Sequence, residues 1–271
     1  MRVYKANKGG EDSFIQGFSS YVKGVNHRGY ATVAPENTLP AYQLSAKKGF
    51  RYVETDVLFT SDNVPVLLHD ITIDRTSNGT GNIYDLTLAQ VRQYDFGSWK
   101  SSAYAGTKIP TFEEFLILCR NLGLHPYIEI KSGGYIFTQA QINMLVDMVN
   151  SFGLRGNATF ISFQKDYLRL YVKERDPYAR IGYVVNSVDA TKISEAQAML
   201  SGDNEVFLNT GSSSISSTEV ALCKDAGLPL ETWGNFSNPN KQWVLNMDNY
   251  VSGVTNDSLN AEYVLYEKSL G

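Results

Sequence analysis

Glu54 and Asp56 stand two residues apart inside Tyr52 to Leu58, a run of β-branched and apolar residues. Alternate residues of a strand project to one face, so the two carboxylates share a face while Val53, Thr55 and Val57 take the other. If that strand is covered on both sides, two like charges turned inward are unfavourable without a cation between them. Glu129 and Lys131 repeat the spacing, with Ile128 and Ile130 as apolar neighbours. Such a Glu-Lys pair can serve structure alone, but with Glu54 and Asp56 it makes a set of three carboxylates and one ammonium. Three oxygen ligands suit one hard divalent cation, Mg²⁺ or Ca²⁺, and leave Lys131 to meet a phosphate oxygen. Arg28 offers a planar fork suited to the same anion, and Gly29 after it permits a sharp turn of the main chain. Of the three histidines, His27 and His69 each follow an apolar run, in company with these charges.

These side chains converge only if the chain brings several strand ends together. From residue 22 onward, short β-branched and aromatic runs alternate with longer helical patterns, which is the pattern of repeated βα units around a parallel sheet. Strands are expected at Val22 to Asn26, Tyr52 to Leu58, Pro126 to Ile130, Ala158 to Ser162, Ile181 to Val185, Val206 to Asn209, Pro229 to Trp233 and Tyr250 to Val254. About eight units in a chain of 271 residues point to the α/β class and a (β/α)8 TIM barrel, with residues 1–271 as a single domain. Active sites of such barrels lie at the C-terminal strand ends, where His27 and His69 fall. Residues 71–108, rich in Asn, Gly, Thr and Ser, are too long for an ordinary connection and are expected to form a small insertion after the second strand, capping the barrel mouth. A brief helical piece is expected within it at Leu88 to Tyr94.

Two helices carry clear boundary signals. One has Asn37-Thr38 as its cap, Pro40 in its first turn and Gly49 beyond its end. The other has Thr111 as cap, Glu114 three residues on to complete a capping box, and Gly123 as its stop. The Ser-rich stretch Gly211 to Ser217 leads toward a further helix.

A net charge of -4, without any cluster of Lys and Arg, disfavours a nucleic-acid partner. The longest apolar stretches, such as Phe115 to Cys119, fall far short of the roughly 20 residues of a membrane span. Met1 to Gly10 has no apolar signal-peptide region behind it, so the chain as written is expected in the cytoplasm, or outside the cell if it is a trimmed piece or module of a larger protein. Cys119 and Cys223 lie far apart in helical patterns, without the spacing of a zinc site, and read as buried free thiols.

Taken in order, His27-Arg28-Gly29, Pro35-Glu36-Asn37-Thr38, Val53-Glu54-Thr55-Asp56-Val57, Thr60, Asp62, Pro65-Val66, His69-Asp70 and Glu129-Ile130-Lys131 resemble the glycerophosphodiester phosphodiesterase family. The resemblance runs from about Asn26 to the end, with its dense motifs up to Lys131. It implies a phosphatidylinositol-phosphodiesterase-like TIM barrel with an insertion after the second strand, and metal-dependent hydrolysis of glycerophosphodiesters to glycerol phosphate and an alcohol. On that resemblance His27 and His69 are the acid/base pair, and Glu54, Asp56 and Glu129 hold one divalent cation. Arg28 and Lys131 contact the substrate phosphate, Glu36 and Asn37 support the site, and Phe163 and Trp233 line the pocket of the leaving group. The partner implied is a small-molecule glycerophosphodiester. Alternatives are a lyase of the sphingomyelinase D type, which forms a cyclic phosphate, and a non-catalytic module holding a phosphate polymer such as a teichoic acid. Leu230 to Asn235 and Gly253 to Asp257 depart from the family pattern where it shapes the alcohol pocket, so the head group stays open.

Overall fold

Apolar runs with a period of two become strands that bury both faces. In the computed structural model, which describes residues 23–131, 133–201, 204–211, 215–234 and 250–256, one sheet holds β1 (Lys23–Asn26), β2 (Tyr52–Phe59), β3 (Pro65–Leu67), β4 (His125–Ile130), β5 (Thr159–Ser162), β6 (Arg180–Val185), β7 (Val206–Gly211), β8 (Leu230–Trp233) and β9 (Val251–Asn256). All but β3 are parallel, and β1 pairs with both β2 and β9, so the eight parallel strands close into a barrel. Around it run α1 (Leu39–Lys47), α3 (Phe112–Leu122), α4 (Gln139–Ser151), α5 (Lys173–Arg175, behind a π-helical stretch Tyr167–Val172), α6 (Ala190–Gln197) and α7 (Ser217–Ala226). Val53, Val57, Ile128 and Ile130 pack outward in the large core beneath the helices, while Val25, Tyr127, Ile161, Val184 and Phe207 fill the barrel interior. The expected (β/α)8 architecture is therefore present. Val22 of the first expected strand lies outside the described residues, and the expected Tyr250 to Val254 strand is shifted to Val251–Asn256.

β3 leads from the second barrel strand into the insertion. Pro65–Leu67 runs back antiparallel along β2, with Leu67 opposite Val57 and Pro65 opposite Phe59. The intervening turn is held by Thr60, whose hydroxyl donates to Asp62 Oδ1 at 2.6 Å, and by Asn63 at a left-handed φ of 60°. The inserted segment thus follows the second barrel strand, as expected, by way of this hairpin. It contains two 3₁₀ turns and α2 (Leu88–Val91), shorter than the expected Leu88 to Tyr94, around buried Ile73, Ile83, Val91 and Phe96.

The helix signals were met unequally. Thr111 and Glu114 form the reciprocal capping box of α3, and Gly123 ends it in the left-handed region. At α1 Thr38 does occupy the cap position, but its hydroxyl donates instead to the Pro35 carbonyl and caps nothing. Cys119 and Cys223 are both buried free thiols. Among the described residues no helix is long and apolar enough to cross a membrane.

Charged and polar side chains close the N-terminal end of the barrel. Glu231 Oε1 accepts from Arg180 Nη2 at 2.7 Å, Lys23 Nζ at 3.0 Å and the Tyr127 hydroxyl at 3.1 Å. The Arg180 guanidinium lies 4.3 Å from the centre of the Phe207 ring. His125, the third histidine, is buried beside them with Nε2 2.8 Å from Thr159 Oγ1. Burial, reinforced by Arg180 and Lys23, pushes its pKa down to about 3. Glu231 and Gly253, from the two segments expected to shape the alcohol pocket, face one another at this closed end. Asn235 and Asp257 lie outside the described residues.

Candidate active site

The opposite end of the barrel gathers the acidic residues. Glu54 and Asp56 on β2 both face inward and are fully buried, and Asp56 sits in register with Glu129 of β4. One carboxylate oxygen from each of Glu54, Asp56 and Glu129 lies within 4.8 Å of the other two. Burial, and then the charge of Asp56, push the Glu54 pKa up to about 8. Burial would raise Asp56 as well, but Lys131 and Arg28 hold it well below the usual carboxylate range. Glu54 Oε1 is buried and accepts no hydrogen bond. Carboxylates this close, with Glu54 both forced toward its neutral form and left with an unused oxygen, fit a hard divalent cation in number and donor type.

Two cations flank the acidic cluster. Lys131, one residue past the end of β4, places Nζ 3.3 Å from Asp56 Oδ1 and 3.1 Å from Glu129 Oε1. Arg28 lies 3.3 Å from Asp56 Oδ2 through Nε and donates to Glu36 Oε1 at 2.8 Å through Nη1. The turn that aims it is tight. Arg28 itself has φ 57°, and a Cβ on Gly29 (φ 81°) would come within 2.8 Å of the Ala41 side chain, so the main chain passes against α1 only as glycine. The Arg28 amide donates to Glu54 Oε2 at 2.9 Å, which fastens this turn to the acidic cluster.

Asn37 completes the wall. Its Nδ2 donates to Asp56 Oδ2 at 2.8 Å, and its Oδ1 accepts from the Thr55 and Tyr42 hydroxyls and the Asp56 amide. The side chain expected to help cap α1 is engaged in orienting a carboxylate. Thr55 and Tyr42 were not singled out from sequence, although Thr55, between the two acids, is the one polar residue on the helix-facing side of that motif.

The histidines approach from two directions. His27 follows β1 and places Nε2 3.9 Å from Glu54 Oε2. His69 follows β3, which is tied to β2 by the Leu68 amide donating to the Asp56 carbonyl at 3.1 Å. Its Nδ1 is 2.6 Å from Asp70 Oδ1. Asp70 and Glu36 are both bound by Arg75 of the inserted segment, a residue that sequence reasoning missed. The same segment reaches the loop after β1 again, where Lys100 Nζ donates to the Ala31 carbonyl at 2.6 Å. A small cavity between insertion and barrel is lined by Glu36, Asn37, His69, Thr76 and Phe96. Phe163 and Trp233 meet edge to face, ring centres 5.6 Å apart, on top of the interior apolar cluster, and Trp233 Nε1 donates to the Val185 carbonyl at 3.3 Å.

Similarity to known proteins agrees with this architecture. The chain is 37% identical over 144 residues to the human protein named glycerophosphodiester phosphodiesterase 1, an alignment covering 52% of this chain and 43% of that protein. It is 33% identical over 158 residues to the glycerophosphodiester phosphodiesterase of Caldanaerobacter subterraneus, covering 58% of this chain and 64% of that one. The chain thus spans less than two thirds of either relative. Its fold superimposes with a TM-score of 0.78 on a putative glycerophosphoryl diester phosphodiesterase from Silicibacter pomeroyi, at 19% identity, covering 96% of this chain and 98% of that one. The TM-score is 0.74 at 25% identity with an Oleispira antarctica phosphodiesterase in complex with the product sn-glycerol-3-phosphate, covering 92% of this chain and 96% of that one. Residues 27–261, which begin at His27 and include the whole acidic cluster, match the sequence model of the glycerophosphoryl diester phosphodiesterase family, and the chain belongs to that family.

Proposed function

We propose that this chain hydrolyses glycerophosphodiesters to glycerol phosphate and an alcohol at the mouth of the barrel, with residues 71–108 as a cap on one catalytic unit. The observation that carries the reading is the buried cluster of Glu54, Asp56 and Glu129, set between Arg28 and Lys131. An excess of carboxylates beside two anion-binding side chains suits a phosphate bridged to the protein through a cation. One Mg²⁺ or Ca²⁺ held there would neutralise the phosphate and favour the charge that grows on its oxygens during displacement.

The chain's own residues would do the rest. Arg28 and Lys131 hold phosphate oxygens, and Glu36 and Asn37 keep Arg28 and Asp56 in place. One of His27 and His69 takes the proton from the attacking oxygen as the new phosphorus–oxygen bond forms. The other delivers a proton to the alkoxide that departs. The alcohol would rest against Phe163 and Trp233. That the Oleispira relative binds sn-glycerol-3-phosphate supports this product class.

The test is turnover of glycerophosphocholine, glycerophosphoethanolamine, glycerophosphoglycerol and a polyglycerol phosphate, with and without EDTA. Hydrolysis abolished by EDTA and restored by Mg²⁺ or Ca²⁺ is expected, and full activity in excess chelator removes the cation from the site. Phosphorus NMR of the products separates hydrolysis from a lyase that stops at a cyclic phosphate. Binding of every diester without turnover would leave a non-catalytic module.

A further inference from the structure

Arg75 lies in the inserted segment, five residues beyond Asp70, and its guanidinium is engaged by two carboxylates from different parts of the chain. Nε donates to Asp70 Oδ2 at 2.6 Å, while Nη1 and Nη2 donate to Glu36 Oε2 and Oε1, each at 2.8 Å. Each carboxylate passes on to a side chain of the site. Asp70 Oδ1 is 2.6 Å from His69 Nδ1, and Glu36 Oε1 also accepts from Arg28 Nη1 at 2.8 Å. The Arg75 side chain is 45% exposed, and ion pairs this open to water add little to folding stability. Its consequence lies in what it orders: a planar fork with donors in fixed directions sets the angle between two carboxylates as well as their separation.

We propose that Arg75 is a positioning residue for this site, which by holding Asp70 and Glu36 together fixes the ring of His69 and the fork of Arg28. The inference rests on the diester hydrolysis proposed above. With Asp70 accepting at Nδ1, that nitrogen carries the proton and Nε2 is the one left to exchange a proton with substrate. Without Arg75, Asp70 loses the partner on its second oxygen, and Glu36 loses two of the three donors that fix its carboxylate. The His69 ring and the Arg28 fork then wander over geometries of which few are productive.

Arg75→Ala is expected to lower kcat on glycerophosphocholine about 10- to 100-fold, the usual scale for removing a group that orients another, with a smaller change in KM. Arg75→Lys is not expected to restore it, because a single ammonium does not span two carboxylates. In the double variant with Asp70→Asn, the loss should hardly exceed that of the more damaging single substitution, as for residues acting in one chain of contacts. The tautomer of His69, read by long-range ¹H–¹⁵N NMR in a chain of three histidines, should be Nδ1-protonated in the wild type and mixed in Arg75→Ala. That spectrum needs no turnover. If the wild type hydrolyses none of the diesters, the proposed activity fails while the NMR still decides on Arg75. Wild-type kcat in Arg75→Ala, an unaltered His69 tautomer, or full rescue by lysine each overturns the proposal. Should Arg75→Ala not fold, Arg75→Lys carries the test, and wild-type kcat in that variant is the overturning result.

Discussion

At the closed end of the barrel, three donors converge on one oxygen of buried Glu231. At the open end, Glu54 is equally buried, and each of the two carboxylates leaves one oxygen without a hydrogen bond, Glu231 Oε2 and Glu54 Oε1. Both carboxylates face inward from barrel strands, so position in the fold does not separate them. Charge balance does. Around Glu231 the cations Arg180 and Lys23 overcome the burial that would raise its pKa and hold it below the ordinary value, whereas Glu54 is pushed above its own by burial first and then by the charges of Asp56 and Glu129. The first end is a plug whose charges satisfy one another, and the second has negative charge to spare for something not in the chain. The contrast agrees with the division of labour in such barrels, stability at the N-terminal face and chemistry at the C-terminal one.

Substitutions at the two ends should therefore fail in opposite currencies. The largest expected effect is at the plug: Glu231→Ala leaves Arg180 buried and without its main counter-charge, and should cost about 3–5 kcal/mol in urea unfolding. The kcat of the molecules that stay folded should not change, and a loss of kcat at full stability would mean that the plug belongs to the chemistry. At the open end, His27→Ala and His69→Ala should each lower kcat by about 10²-fold or more, or roughly 2.7 kcal/mol of barrier, with thermal stability nearly unaltered. A mild kinetic effect of either, or a large stability loss, would blur the two ends into one.

Much of the open end was legible because its residues obey strand arithmetic. Glu54 and Asp56, and Glu129 and Lys131, are spaced by two on runs whose intervening residues are apolar or Thr55, and a period of two is what fixes a face. Glu231 obeys the same rule relative to Trp233, yet the rule tells only inside from outside, not which end of the barrel a layer occupies. Asn37 precedes a helix and so resembles a capping residue, but its left-handed φ of 54° turns the amide onto Asp56. β3 escaped notice because three residues are too few to show a period. Arg75 was hidden for a deeper reason: it lies on a loop whose path is set by turns, so its meeting with both Glu36 and Asp70 is a property of the folded chain alone.

His125 sharpens the account of the plug through pH. Its folded pKa of about 3 lies below the ordinary 6.5, so below pH 6.5 the unfolded chain binds a proton that the folded chain refuses. Its contribution is therefore whole above pH 6.5 and shrinks as the pH falls toward 3, at most about 2 kcal/mol being lost by pH 5. His125→Gln should be less sensitive than the wild type between these two pH values in urea unfolding. If both lose stability in parallel, the plug is not what keeps this ring neutral.

The smallest expected effect, at Glu54, has the sign that most separates the two ends. Because its folded pKa is raised, stability is present below the ordinary carboxylate range and is lost as the pH rises toward 8 in protein without a cation. Glu54→Gln should accordingly stabilise the EDTA-treated protein at pH 8, by about 1 kcal/mol, the low end for replacing a buried charge with a neutral group. Mg²⁺ or Ca²⁺ should then raise the melting temperature of the wild type and not that of the variant, since a ligand stabilises only the fold that binds it. The same kind of change at Glu231 is expected to destabilise. If Glu54→Gln destabilises the EDTA-treated protein as well, Glu54 is held by partners as Glu231 is, and the open end loses the unbalanced charge on which its reading as a cation site rests.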